Sequence, residues 1–548
     1  MATDNDQNIQ AQAIARGFLT GRYDRRSLLR RASAVGGAAL AATTLGPLLA
    51  ACGPVKGTSP SGAAGTQTPT DGGTLSVALT GNPSSMDPAA AGIYTSLQVL
   101  DNIYSKLITQ DENGQFIAEL ASKWTAPDPK TWVFDLVDNA YFHNGEKFTA
   151  NDVKYTFERI LNPKTGSTYA TAYTSVDTIE VNSPTQVTFH LKEPFAPFLT
   201  NLSQNGEIVN QKAIESADPT RNPVGTGPFQ FVEWVQGDHI TLKKFDKYFV
   251  TGKPHLDGIT FRFLQVDQSR IEALQSGQID WVDAVPLSQL TALKANPQYR
   301  YVTSTRAGIP DFLAFNVSKA PFNNPALRQA VALAVDKTQI LKIAYFGAGE
   351  AGSMEVPHGS EWYGGTDPYA KGPDLAAAKA KMAEAGYANG LNVEFLALPQ
   401  YPELLQTGVI LKDQLKAIGI NVSIKQLEVT VWFDRYAKGD YQMTSAYWSG
   451  TIDPDNFYST QMASGSPNNY CKYSNPQLDA LIVQARTEPD PAKRKDLYAQ
   501  IRTIMFTDVP LVFIHYETIN YLMSTKVYGS TVNPPLELRL GNVWKAKS

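Results

Sequence analysis

Few side chains in this 548-residue chain are spaced for covalent chemistry. The six histidines (His143, His190, His239, His255, His358 and His515) are scattered, and none belongs to the His-Glu-x-x-His pattern that grips zinc from one helix face. No Gly-x-Ser-x-Gly elbow presents a nucleophilic serine. With 52 acidic residues, some paired carboxylates arise by accident, so pairs alone carry no signal. The exception is Cys52, which closes Leu49-Ala50-Ala51-Cys52. That sequence looks like a bacterial lipobox, where the thiol is diacylated and the chain is cut just before it. Acyl chains contribute about 0.8 kcal/mol per buried CH₂, and two or more hold a protein stably on a membrane surface. With Cys52 committed to lipid, Cys471 has no disulfide partner and reads as a buried thiol behaving as a small hydrophobe. No metal and no cofactor is expected.

The residues around Cys52 agree with this. Arg25-Arg26-Ser27-Leu28-Leu29-Arg30 leads into a small-residue apolar stretch from Ala32 to Ala51, the layout of an export signal. The twin arginines resemble a Tat signal, with a generic Sec signal as the alternative. A permanent membrane span wants about 20 mostly large apolar residues, and the Gly, Thr and Pro47 of this stretch make it a poor one. Residues 53–73 are Gly, Ser, Thr, Pro and Ala with almost no large apolar side chain, a tether composition. Segment 1–51 thus reads as signal peptide and 52–73 as lipidated cysteine plus tether.

The remainder has the composition of a soluble globular protein, 43% hydrophobic and 18% charged, and its length suggests about three structural units. The net charge of −4 becomes −7 without residues 1–51, leaving 42 basic against 49 acidic side chains. There is no basic stripe of the kind nucleic acid requires.

Several elements must position whatever the body binds. Thr74 to Leu79 alternates as a first strand, and a helical run passes through Ser96 to Leu107. Trp132–Leu136 and Tyr141–His143 flank Asp138-Asn139, a hairpin signal. Thr149 and Asp152 form a capping box ahead of a helix carrying Val153, Phe157 and Ile160. Phe229–Trp234 and Ile240–Lys243 read as paired strands. Beyond them, strands (259–264, 313–316, 393–398, 422–426, 441–448) alternate with helices (269–274, 325–335, 376–385, 404–418), an α/β pattern.

Five blocks of sequence, in order, resemble the family 5 extracellular solute-binding proteins of ABC importers, the dipeptide, oligopeptide and nickel-binding type. They are Leu120–Trp124 with Trp132–Leu136 and Phe142–Val153; Asn222–Phe229 with Lys247–Phe249; Arg270–Asp280; Phe315-Asn316 with Arg328–Ala330 and Val335–Lys337; and Tyr473–Pro476 with Leu478–Leu481. The resemblance spans about residues 74 to 540.

This resemblance implies an α/β, two-lobed, type II periplasmic-binding-protein fold with an extra domain inserted in the first lobe. Lobe one would be 74–110, 225–308 and 518–548, the insertion 111–224, and lobe two 309–517. It also implies a monomer that closes over a peptide or similar small polar solute and delivers it to permease and ATPase subunits. Opine, sugar-like, nickel-chelate or haem ligands are alternatives. A secreted hydrolase, or a receptor using the fold without a transporter, are the rival classes. The implied ligand segment is Tyr447-Trp448-Ser449-Gly450-Thr451-Ile452-Asp453-Pro454-Asp455-Asn456-Phe457, with Tyr447, Trp448, Ser449, Thr451, Asp453 and Asn456 as contacts and Tyr94 as a further lining residue. Peptide-binding relatives carry an Asp soon after the Trp that pairs with the ligand's α-ammonium. Here the segment runs one residue short and Thr451 or Gly450 stands in its place, so the charge-assisted bond has no donor-matched partner unless Asp453 takes over. Asp453-Pro454 equally suits a helix start. His143 and Gly225-Thr226-Gly227 read as packing and turn residues.

Overall fold

The computed structural model describes residues 68–449, 452–534 and 537–547. Cys52, the export signal, most of the tether, and Thr451 lie outside the described residues. Residues Pro69–Ser548 form one compact unit.

An 11-stranded sheet runs through that unit. From one edge its order is Ile420–Gln426, Leu391–Ala397, Met443–Tyr447, Tyr299–Phe315, Leu511–Ser524, Trp281–Val282, Thr74–Leu79, Gly258–Phe263, His239–Lys244 and Phe229–Val235. The short strand Glu350–Ala351 adds to Leu511–Ser524. Each wing contains parallel strands, Leu391–Ala397 with its two neighbours on one side and Thr74–Leu79 with its two neighbours on the other. Helices cover both wings, as parallel strands require. The two longest strands, Tyr299–Phe315 and Leu511–Ser524, pair antiparallel in the middle and cross from one wing to the other.

Apolar packing follows the wings. Leu75, Val77, Ile103, Phe261 and Trp281 form the core of one, with Ala78, Ile271, Val282 and Leu290 forming a second layer. Leu313, Val331, Phe395 and Leu411 lie on one side of the other wing, and Phe312, Phe457, Leu478 and Ile501 form its second core. A separate four-stranded antiparallel sheet, ordered Ala121–Asp128, Thr131–Leu136, Gln186–Leu191 and Val176–Ser183, packs against helix Ala150–Leu161 around Phe134, Phe157 and Phe189. The fold is thus α/β and two-lobed with an added domain.

The capping box is present, with the Asp152 carboxylate accepting from Thr149 N at 2.9 Å. The pairing of Phe229–Val235 with His239–Lys244 is as expected. Two expectations are corrected. No hairpin forms around Asp138-Asn139: Thr131–Leu136 pairs with Ala121–Asp128 and Gln186–Leu191, while Tyr141 bridges only to Lys147. The distant pairing sets Phe134 edge-on to Phe189 at 5.7 Å, a cross-strand aromatic contact that a local hairpin lacks. The helix through Ser96 ends at Leu100, because Asn102 turns inward to donate to Leu538 O at 2.8 Å and Ile103 O accepts from Gly227 N at 2.8 Å.

Candidate functional site

The crossing strands change register where they pass between wings. Thr303 pairs with Asn520 and Gly308 with Thr518, so residues 304–307 bulge opposite Ile519. A second shift follows between Asp311 and Phe312. Bulges bend a strand and re-aim its side chains. Between them Asp311 has His515 and Tyr447 as cross-strand partners, bringing three polar residues to one place.

His515 Nδ1 lies 2.8 Å from Asp311 Oδ2, its Nε2 lies 2.8 Å from Ala348 O, and its ring stacks on Tyr345 at 3.7 Å. Both ring nitrogens thus face oxygen atoms, which fixes the ring between the two strands and the Ala348 loop. Glu517, two residues along, is exposed to solvent. Desolvation by the protein around it, followed by the charges of Asp311 and Glu403, pushes its carboxyl up to about 8. Glu403, in the first turn of helix Pro402–Lys416, is raised by burial and then by Asp311 and Asp267. Asp267 belongs to helix Asp267–Gln275 on the other wing, so the two wings approach each other here.

Tyr447 ends its strand beside these carboxylates, 41% exposed, with Tyr401 edge-on at 5.9 Å. Trp448 follows, half-buried; its backbone N donates to Pro310 O at 3.2 Å and its indole Nε1 to Asn456 Oδ1 at 2.8 Å. Asn456 therefore orients the indole. Ser449 is exposed.

Asp453 is corrected as a ligand contact. It is 4% exposed, both carboxylate oxygens take Arg494 at 2.6 Å, and one also accepts from Asp455 N at the start of helix Pro454–Phe457. A charge answered by a bidentate guanidinium has little left for a ligand.

Tyr94 stands on the other wing, half-buried, with its hydroxyl enclosed near Tyr521 and Asp283. Tyr94, Gln98, Asp283 and Tyr521 all hold side-chain polar atoms without a hydrogen-bond partner among the described residues. Burial pushes the Asp283 carboxyl up to about 6. Sequence reasoning missed Glu517, Glu403, Asp311 and Asp283, which lie far apart in the chain and carry no local pattern. The packing roles of His143 and the glycines are visible: His143 Nε2 contacts Gly227 O at 3.0 Å, and a Cβ at Gly225 or Gly227 would run into the backbone of Ile103. Cys471 is free and buried, its thiol pushed up to about 12 by burial. Among the described residues no group of three His, Cys, Asp or Glu could hold a metal ion, and no helix is long and apolar enough to cross a membrane.

The family model of the bacterial extracellular solute-binding proteins, family 5, matches residues 115–470. The chain belongs to this family. Similar proteins include the probable D,D-dipeptide-binding periplasmic protein DdpA of Escherichia coli K12, 29% identical over 481 residues, which cover 84% of this chain and 92% of the relative. Among solved structures, the periplasmic binding protein AgaA of Agrobacterium tumefaciens R10 in complex with agropinic acid superposes with a TM-score of 0.74 at 30% identity, covering 87% of this chain and 99% of that one. DppA of Helicobacter pylori in complex with the peptide STSA gives 0.74 at 27%, with the same coverage. As a family 5 member the chain is an extracytoplasmic solute-binding protein of an ABC importer, and its relatives are binding proteins, not enzymes.

Proposed function

We propose that this protein is a lipid-anchored receptor that captures a small amino-acid-derived solute, a peptide or an opine-like compound, by closing two lobes over it. The lobes are read as 74–110, 225–308 and 518–548 against 309–517, with 111–224 inserted. The observation that carries the reading is the pair of crossing strands whose register breaks on either side of Gly308–Asp311, where Ile309 pairs with Glu517 and Asp311 with His515 and Tyr447. Register breaks localise bending, and hinge closure over a bound solute needs a few residues that absorb it. A cavity of about 520 Å³ beside the same strands, between Tyr301, Thr303, Lys294, Phe346 and Thr518, leaves room for that bending. Relatives that bind agropinic acid and short peptides support an amino-acid-derived ligand.

Closure removes water from the ligand, so its polar contacts strengthen, and the closed form is the one an importer's membrane subunits distinguish. Tyr447, Trp448, Ser449, Thr451 and Tyr94 are proposed to line the site, with Asn456 holding Trp448. Thermal-shift screening of a peptide and metabolite library tests the reading, because a ligand bound only by the folded chain raises its melting temperature. No shift with any compound would count against capture, and turnover of a compound would replace it with catalysis. Anchoring is tested separately: Cys52→Ala is expected to move the protein from the membrane to the soluble fraction.

A further inference from the structure

The cavity beside the crossing strands opens on the face away from the proposed ligand segment. Side chains along Leu511–Ser524 alternate between two faces. Tyr521 packs with Val77 and Trp281 on one face, and Leu522 packs with Leu290 and Ile271 on the other. By that alternation Glu517 shares the Tyr521 face, together with Ile309, Asp311 and Tyr447, which pair with one another across the strands. Thr518, on the cavity wall, shares the Leu522 face. The cavity and Tyr447 therefore stand on opposite faces of the crossing strands.

The cavity wall draws on both wings. Leu290 and Lys294 come from helix Leu287–Lys294 and Tyr301 from the start of one crossing strand, against the turn Phe346–Glu350. A volume of about 520 Å³ lies within the range of sites that enclose a small molecule. Phe346 has a φ of 54°, beside Gly347 at 77° and Gly349 at 78°. Glycine adopts that left-handed conformation freely, whereas a phenylalanine there is strained. Phe346 is also 53% exposed, so packing within the chain does little to offset the strain. Strain of this kind clusters where a ligand is held. Lys294 is the one base and Glu350 the one acid on the wall. Glu350 lies 2.7 Å from His358 Nδ1. Lys294 meets no carboxylate among the described residues, and its Nζ stands 4.8 Å from the centre of the Tyr301 ring. The cavity thus joins an aromatic and aliphatic wall to one positive charge without a partner, a pairing that a cation or a purely apolar molecule leaves unanswered.

We propose that this cavity is a second binding site, for a small organic anion with a flat apolar body such as an aromatic carboxylate. Lys294 receives the carboxylate, and Phe346, Leu290 and Tyr301 hold the body. Because the wall comes from both wings, a molecule bound there touches both ends of the crossing strands. The proposal does not depend on the capture reading.

The test titrates the full chain by calorimetry with 4-phenylbutyrate, 4-phenylbutanol and 4-phenylbutylamine, which share a body and differ in head group. The acid is expected to bind with a Kd below about 1 mM, at least about fivefold tighter than the alcohol, with the amine weakest. Lys294→Gln is expected to bring the acid to the alcohol's affinity and leave the alcohol unchanged. Phe346→Gly removes ring and strain together, so acid binding should weaken about tenfold while the ligand-free melting temperature stays at or above that of the parent. Thr291→Trp, at an exposed wall position, should fill the cavity and abolish acid binding. Trp448→Ala, on the opposite face, should leave the acid's affinity within about twofold of the parent. No binding of the acid, equal affinity of acid and alcohol, or normal acid binding by the Lys294, Phe346 or Thr291 variant would overturn the proposal. A Phe346→Gly protein that melts lower would make Phe346 structural and overturn its role. Loss of acid binding in Trp448→Ala would place the compound in the solute cleft and remove the second site.

Discussion

The backbone N–H of Ala196 donates to the carbonyl of Arg486 at 2.8 Å, joining the segment next to the four-stranded sheet to the end of helix Pro476–Thr487. The Arg486 guanidinium lies 6.0 Å from the centre of the Phe195 ring, and its Nε reaches Asp455 at 3.1 Å. Asp455 sits in the same short helix as Asn456, which holds Trp448. The contact made by the four-stranded domain and the proposed ligand segment therefore share one arginine.

Phe195→Ala and Arg486→Lys are expected to loosen that contact while keeping a cation beside Asp455. Solute affinity should fall about three- to tenfold, because a less populated closed form lowers apparent affinity in proportion. Small-angle scattering should show a larger open fraction at subsaturating solute. Unchanged affinity and shape would make the contact incidental to closure.

Stability should depend on the Glu517 carboxyl, which desolvation and then the charges of Asp311 and Glu403 push up to about 8. The groups facing it are Asp311 and His515 on the crossing strands, Glu403 and Tyr401 at the helix start, and Tyr447. In the solute-free protein the folded value lies above the ordinary 4.5, so stability falls as pH rises from there through about 8 and then levels off. Glu517→Gln should flatten this dependence when denaturant midpoints are compared between about pH 5 and about pH 9.

Trp448→Ala is expected to weaken binding by about tenfold or more with the fold intact, the scale of a buried aromatic anchor. Asn456→Ala, which frees the indole without removing it, should act in the same direction and less strongly. Equal calorimetric affinity in both variants would place the solute elsewhere.

Asp453 and Arg494 should register in stability. Their side chains are 5% and 3% exposed, and breaking a buried pair from one side costs about 3–5 kcal/mol. Arg494→Met should therefore lower the denaturant midpoint far more than the double variant Asp453→Asn/Arg494→Met does, with affinity of the folded protein within twofold of the parent. A selective loss of affinity in Asp453→Asn would restore it to the ligand site.

Local signals in the chain announced most single elements. The strand Thr74–Leu79 and the helices Pro325–Ala334 and Pro402–Lys416 follow apolar period and end signals that neighbouring residues supply by themselves. The hairpin at Asp138-Asn139 failed because a strand takes the partner that buries its aromatics best, and Phe189 is 55 residues away from Phe134. The segment around Trp448 was legible as a candidate through its motif, but whether Asp453 faced a ligand or a guanidinium depended on Arg494, 41 positions on.

The order of blocks, the Trp448 segment and the α/β alternation were determined by sequence alone, since each is written in adjacent residues. Which carboxylates come to act on one another was decided only by the tertiary structure. Asp311, Glu403 and Glu517 come from three separate elements, and charge at a distance along the chain becomes electrostatics only when the fold sets the spacing and expels the water between them.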